Sequence, residues 1–279
     1  MNGKKGKVLV IAPGRKTRGG ITAVVNLYTR HPFWNSWRCY WVETHIDTNI
    51  WLKLWYFITA LGKYLFILHS YSIIHIHFSE PVSAIRKMFF MVPALVARRK
   101  TILHFHSFSP DTTITSRYRP LYRWMFEHAD SIVVLSESWK REVAGISKKQ
   151  LPISVIYNPA TIREVPGAER EAYILFAGTL NSRKGYSDLI RAFSMVAGRH
   201  PHWKLVLAGN GETREADVLA RSLLVRDRVM LPGWVTGSDK EMLFRKAGIF
   251  CLPSYAEGFP MAVIDAMSHY IPVVSTPAG

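Results

Sequence analysis

Short apolar runs alternate with amphipathic stretches along this whole chain. Continuous apolar runs at 7–12, 72–78, 101–106, 131–135 and 153–157 read as strands buried on both faces. Helical spacing falls between them, at 21–28, 81–96, 117–128 and 137–144, with Ser136 a good N-cap for the last. Segment 158–167, with Pro159, Pro166 and Gly167, reads as a linker, and the alternation then restarts. Strands are predicted at 173–177, 204–208, 229–231, 249–252 and 272–275, and helices at 185–198, 214–224, 240–247 and 260–269. Strands alternating with helices predict parallel sheets covered on both faces. The fold class is therefore α/β, with two Rossmann-like doubly wound domains over 1–165 and 166–279. Two such domains in tandem are expected to leave a cleft between the carboxyl ends of their sheets, where open α/β sheets bind ligands. The chain ends in a loop directly after a strand, so the second domain is expected to be incomplete.

One stretch breaks the simple pattern. Residues 50–70 are apolar nearly throughout and approach the length of a membrane span, but Lys53, Gly62, Lys63 and His69 interrupt them. A helix that feeds at once into a sheet strand fits a core helix, with an aromatic edge touching the membrane, better than a span.

Near the C-terminal end, the strand at 249–252 exits into a tight loop carrying Glu257 and Gly258. Pro260 suits a first helical position, and Asp265 follows about one turn later. A carboxylate beside exposed helix-start amides suits sugar hydroxyls next to a phosphate. An ordinary strand–loop–helix unit with a capping glutamate has the same local pattern. The first strand likewise leads through a basic glycine loop, 13–20, into a helix, without the dinucleotide-binding glycine spacing.

Charge sharpens the domain division. The 279 residues carry a net charge of +16. Residues 1–165 hold 23 Lys and Arg against 9 Asp and Glu, and the remainder 13 against 11. A basic first domain predicts an anionic partner there: lipid, nucleic acid or a phosphorylated substrate. Cys39 and Cys251 form no disulfide framework, and the apolar run at 8–12 is too short for a signal-peptide core. No Asp-x-Asp triplet occurs, and no His, Cys or Asp cluster has metal-ligand spacing along the sequence. His75, His77 and His104 lie within predicted strands and read as structural.

Several short segments, in order, carry a family likeness: Gly19-Gly20, Ile73-Ile74-His75-Ile76-His77, Phe105-His106-Ser107, Val155-Ile156-Tyr157-Asn158-Pro159, Phe176-Ala177-Gly178-Thr179, Arg183-Lys184-Gly185, Leu207-Ala208-Gly209-Asn210-Gly211 and Glu257-Gly258-Phe259-Pro260. Their order and spacing resemble family 4 glycosyltransferases, retaining enzymes with the two-domain GT-B fold. The resemblance implies a UDP- or GDP-sugar donor and a glycan or lipid-linked acceptor in surface-polysaccharide assembly. It implies catalytic roles for Glu257 at the donor sugar, Lys184 at the leaving diphosphate and His106 near the sugar. Gly258, Phe259, Pro260 and Met261 would surround the sugar and diphosphate, and Gly20 would give backbone approach to the diphosphate or acceptor. Asp265 stands where the family has a glutamate that holds the ribose. Thr179 stands where it has an arginine, and Arg183 is either the substitute cation or a solvated loop residue. No metal or cofactor is expected, nor any nucleic-acid partner. The basic, aromatic first domain points to a cytoplasmic protein peripheral to the inner face of an anionic membrane. The rival readings are a catalytically impaired or truncated nucleotide-sugar-binding remnant and a nucleotide-sugar epimerase of the same fold.

Overall fold

The computed structural model describes residues 6–161, 163 and 169–278. They form two compact units, one ending at Pro159 and the other running from Ala160 to Ala278. The predicted boundary at 165/166, with Pro166 and Gly167, lies outside the described residues.

In the first unit the order is β1 (Val8–Ala12), α1 (Gly20–Arg30), the short α2 (Phe33–Ser36), β2 (Tyr40–Glu43), α3 (Ile50–Ile67), β3 (Ile73–Phe78), α4 (Pro81–Val96), β4 (Lys100–Phe105), α5 (Arg119–Glu127), β5 (Ser131–Val134), α6 (Glu137–Ala144) and β6 (Ile153–Val155). Local chemistry sets several starts. Asn49 Oδ1 accepts from the Leu52 amide at 2.9 Å, Ser136 Oγ from the Trp139 amide at 3.2 Å, and Pro81 opens α4. All strand pairs are parallel, in the order β2-β1-β3-β4-β5-β6. Sequential order reverses at β1, so the switch point lies between β1 and β3. The core joins strand residues such as Ile11, Ile74, Ile76 and Leu103 to Tyr64, Phe90, Tyr122 and Phe126 of the covering helices.

The second unit runs β7 (Glu171–Ala177), α7 (Tyr186–Ala197), β8 (Lys204–Ala208), α8 (Thr213–Ser222), β9 (Val229–Met230), α9 (Gly237–Lys246), β10 (Ala247–Leu252), α10 (Met261–Ser268) and β11 (Val273–Ser275). Its parallel sheet has the order β11-β10-β7-β8-β9. The switch point here lies between β7 and β10. Loops leaving the carboxyl ends of those two strands must therefore meet, and these are the loops that hold Lys184 and Glu257.

Three expectations change. The strand β2 and the turn α2 were not predicted, because a four-residue strand with half-buried ends gives almost no apolar run. Pro260 is extended (ψ 111°) and precedes α10 rather than opening it. The exposed edge of the apolar stretch 50–70 is broader than expected: its helix meets the core only through Ala60 and Tyr64, with Phe57, Leu61 and Ile67 packed beside them. In α3 only Ala60 and Tyr64 are buried, while Trp51, Trp55 and Phe66 are 78, 66 and 89% exposed. Among the described residues it is the one helical segment long and apolar enough to cross a membrane, with a mean hydropathy of 1.3. It packs on α4 through Phe57, whose ring meets those of Phe89 and Phe90 edge-on, and through Tyr64, which donates to the Phe90 carbonyl at 2.6 Å. On α4, Val82, Ile85, Phe89, Val92 and Val96 are also exposed, so the two helices present one continuous apolar face.

Candidate functional site

At the switch point of the second unit, a turn over Ser182–Lys184 lies against the loop that follows β10. Asn181 Oδ1 accepts from the Lys184 amide at 3.1 Å and fixes the turn. The two loops are then tied by backbone and side-chain hydrogen bonds. Tyr255 N donates to the Arg183 carbonyl at 2.8 Å, and Arg183 Nη1 donates to the Ala256 carbonyl at 2.6 Å. Tyr255 Oη also donates to Asp188 Oδ2 at 2.7 Å. Gly185 ends the turn with φ +68°, in the left-handed region, and a Cβ there would sit 2.1 Å from the Pro253 carbonyl oxygen. The close approach of the loops thus requires glycine.

This scaffold brings Lys184 Nζ into an ion pair with Glu257 Oε1, with Arg183 Nη1 3.6 Å from the same oxygen. Glu257 is 8% exposed. Burial pulls the Lys184 amine below its ordinary value, and Glu257 opposes that shift only in part. Two cations and one carboxylate therefore converge at the place where a doubly wound sheet binds ligands. Gly258 is buried beside Glu257, and Phe259, Pro260 and Met261 are half-buried at the entrance to α10, whose first turn has no side-chain cap. Uncapped helix-start amides suit an anion. Thr179 is exposed just beyond β7.

Asp265 does not join this group through its side chain. Its Oδ2 accepts from Lys240 Nζ of α9 at 2.5 Å, which ties α9 to α10. A ribose would have to displace that pair.

In the first unit, Gly20 opens α1. Carboxylates already hold two amides of the preceding basic loop: Glu43 Oε2 accepts from Arg15 N at 2.8 Å, and Asp47 Oδ2 from Arg18 N at 2.9 Å. His106 lies just past β4, and its Nε2 is 2.9 Å from His77 Nδ1. It is the end of a stack that spacing along the sequence did not reveal. His75 and His77 on β3 stand beside His104 on β4, and the register pairs His77 with His104. Ring centroids are 4.4 Å apart for His75–His77, 4.7 Å for His77–His104 and 4.2 Å for His104–His106. The alternation of histidine at 75 and 77, and again at 104 and 106, was the available signal, since period two puts such residues on one sheet face. Lys87 is fully buried nearby, donates to Thr44 Oγ1 at 2.6 Å and is driven by burial toward the neutral amine.

Burial holds these imidazoles neutral. The pKa values fall to about 4 for His75 and about 3 for His106, with burial the largest cause in each. An unfolded histidine titrates near 6.5, so below that pH the unfolded chain binds protons that the fold refuses. Stability is complete above about pH 6.5 and falls as pH drops toward 4. His75 alone accounts for about 3 kcal/mol by pH 4. Urea midpoints read by circular dichroism at pH 7.5, 6 and 5 are expected to fall steadily. Midpoints that do not move over this range would contradict the neutral stack.

Comparison with known proteins covers nearly the whole chain. The model described as Glycosyltransferase Family 4 matches residues 4–163, and that described as Glycosyl transferases group 1 matches residues 159–279. The lipopolysaccharide 1,6-galactosyltransferase of Salmonella typhimurium is 28% identical over 190 residues, which cover 64% of this chain and 51% of that one. An uncharacterized glycosyltransferase of Methanocaldococcus jannaschii is 31% identical over 166 residues, covering 53% and 42%. The chain spans about half the length of the curated relatives it matches. Among solved structures, Anabaena HepE in complex with UDP and glucose gives a TM-score of 0.76 at 18% identity, covering 98% of this chain and 81% of that one. Sucrose-phosphate synthase of Thermosynechococcus elongatus gives 0.74 at 17%, covering 98% and 82%. These likenesses are of fold, and they agree with the two doubly wound domains expected of GT-B proteins.

Proposed function

The chain belongs to glycosyltransferase family 4, and from that premise we propose that it moves a sugar from a nucleotide-sugar to a glycan or lipid-linked acceptor, with retention, in surface-polysaccharide assembly. The convergence of Lys184, Arg183 and Glu257 at the switch point of the second sheet carries this reading. In the proposed reaction the bond from the sugar C1 to the diphosphate breaks, the acceptor oxygen bonds C1 on the same face, and the acceptor hydroxyl proton passes to the departing diphosphate oxygen. Negative charge grows on the departing diphosphate, and Lys184 with Arg183 meets it. Glu257 accepts hydrogen bonds from the donor sugar hydroxyls, with Gly258, Phe259, Pro260 and Met261 around it. Arg183 thus serves as the second cation that Thr179 does not supply. Gly20 and His106 keep the roles that the family resemblance gives them, and the ribose draws Asp265 from Lys240. The fixed cations make diphosphate departure independent of a metal ion. The rival remnant reading becomes an outcome of the test below.

The acceptor side rests on the first unit. The apolar face of α3 and α4, on a domain whose residues 1–165 hold 23 Lys and Arg against 9 Asp and Glu, supports docking on the inner face of an anionic membrane. Basic residues near such a surface contribute about 1 kcal/mol each.

Thermal-shift and hydrolysis assays with UDP-glucose, UDP-galactose, UDP-N-acetylglucosamine and GDP-mannose test the donor side. UDP-sugars come first, since HepE was solved with UDP-glucose. A matching donor at 100 times its Kd stabilises by about 2.7 kcal/mol, a rise in Tm of a few degrees. Glu257→Ala is expected to abolish the shift. If no donor moves the wild-type Tm, the transferase reading is lost; binding without hydrolysis or transfer would favour the remnant. Sedimentation with anionic vesicles at low salt tests the membrane part, which fails if the protein stays in the supernatant.

A further inference from the structure

Four histidines on one face of the first sheet are more than a packed core. His77 and His104 are 0 and 1% exposed. His75 Nε2, His77 Nε2 and both ring nitrogens of His104 are buried and find no hydrogen-bond partner among the described residues. Leaving such atoms unpaired costs roughly 1–3 kcal/mol each, so their accumulation on one sheet face needs a physical reason. One nitrogen from each of these three residues lies within 4.8 Å of the others.

We propose that His75, His77 and His104 form a binding site for a divalent transition-metal ion, with Zn²⁺ the ion that suits the imidazole set best. Two chemical points support it. Imidazole nitrogen is a preferred donor for zinc and its neighbours, and three histidines are a known zinc ligand set with one position left open. A metal-bound histidine also donates its other N–H to a fixed partner, which sets its tautomer. His77 has such a partner. With its Nδ1–H donating to His106 Nε2 at 2.9 Å, the Nε2 lone pair of His77 is the free one.

The rings must converge to bind. Tetrahedral zinc at ~2.0–2.1 Å from each nitrogen sets those nitrogens ~3.3–3.4 Å apart. Rotation about the χ2 bonds of His75 and His104, which have broad torsional wells, supplies the approach and leaves His77 on its His106 partner. Adjacent strands hold the Cα atoms of His77 and His104 opposite one another, so these two rings start side by side. The position of His106 makes it a positioning residue in this site, whatever its part in transfer. The three proposed ligands all belong to the first unit, whereas the proposed diphosphate charge is met by Lys184 and Arg183 of the second.

The test is metal binding by the full chain with no sugar nucleotide present, so its outcome is independent of the transfer reading. Zn²⁺ is titrated by competition with a chromophoric chelator, and Co²⁺ is added separately to read the visible absorption of tetrahedral cobalt. The wild type is expected to take one ion per chain. His104→Ala should weaken binding by about 100-fold or more and remove the tetrahedral cobalt bands. His106→Ala should weaken it by about 10- to 100-fold, the usual loss for an outer partner. His75→Gln, at the half-buried end of the stack, provides a variant less disturbing to the core. Its cooperative unfolding in chelator is checked by circular dichroism, and its Zn²⁺ affinity is expected to fall as for His104→Ala. The exposed His202→Ala should leave affinity unchanged. Absence of stoichiometric binding to the wild type overturns the site, as does full retention of binding in a folded His75→Gln chain.

Discussion

Lys184→Met is expected to lower kcat for sugar transfer by about 10²- to 10³-fold, or roughly 3–4 kcal/mol, with a much smaller change in donor KM. The ground state needs little from this amine, because Glu257 already pairs with it. The demand arises when the diphosphate departs and its oxygens gain charge in a site that excludes much of the water. An amine held in place there stabilises the transition state more than the bound donor, which is the condition for a kcat effect. Arg183 stays 3.6 Å from Glu257 in the variant and keeps its carboxylate partnered, so the fold should survive. Double substitution with Glu257→Gln is expected to cost much less than the sum of the two single losses, because the residues act as a unit. Burial lowers the Lys184 pKa, so transfer should fade on the alkaline side earlier than an ordinary lysine would dictate. Single-turnover rates for wild type and variant decide the matter: a change confined to KM would place Lys184 in uniform binding instead.

The second large effect concerns the backbone that positions this amine. Gly185→Ala is expected to destabilise the second unit by about 3 kcal/mol or more and to abolish any donor-induced thermal shift. An alanine in left-handed conformation costs ~1–2 kcal/mol before any contact is considered. The added Cβ would also stand 2.1 Å from the Pro253 carbonyl oxygen, an atom of the backbone that cannot swing aside. Relief requires the Ser182–Lys184 turn to part from the loop after β10, which separates Lys184 from Glu257. Gly198→Ala is the matched control. Gly198 caps α7 with φ −61°, and a Cβ there meets nothing within 4 Å. It should be neutral or stabilise by ~0.4–1 kcal/mol. Equal urea midpoints for the two variants would refute the argument.

Much of this architecture could be read in the chain because its parallel strands are buried on both faces and so appear as unbroken apolar runs. The strand β2 escaped because only Trp41 and Val42 of its four residues are buried. Lys184 and Glu257 could each be picked out by resemblance, but their pairing depends on β10 lying next to β7, and strand order is not written in periodicity. Asp265 shows the converse. Its helix was visible, yet its partner Lys240 comes from the neighbouring α9, and only packing of the two helices reveals it. The histidine stack joins a two-residue period, which was legible, to an inter-strand register, which was not. For the apolar stretch 50–70 an aromatic edge was legible, but its breadth was not, because it depends on how α3 packs on α4.

That exposed edge has an optical consequence. Trp51 and Trp55 stand 78 and 66% open to water, whereas Trp41 and Trp139 of the same unit are 3 and 6% exposed. Excitation therefore sees, beside five half-buried indoles, a red-shifted pair within reach of an aqueous quencher such as iodide and a blue-shifted, shielded pair. Anything that settles over α3 must shield Trp51 and Trp55 and leave Trp41 and Trp139 as they were, so the native chain carries its own dye for whatever covers that face.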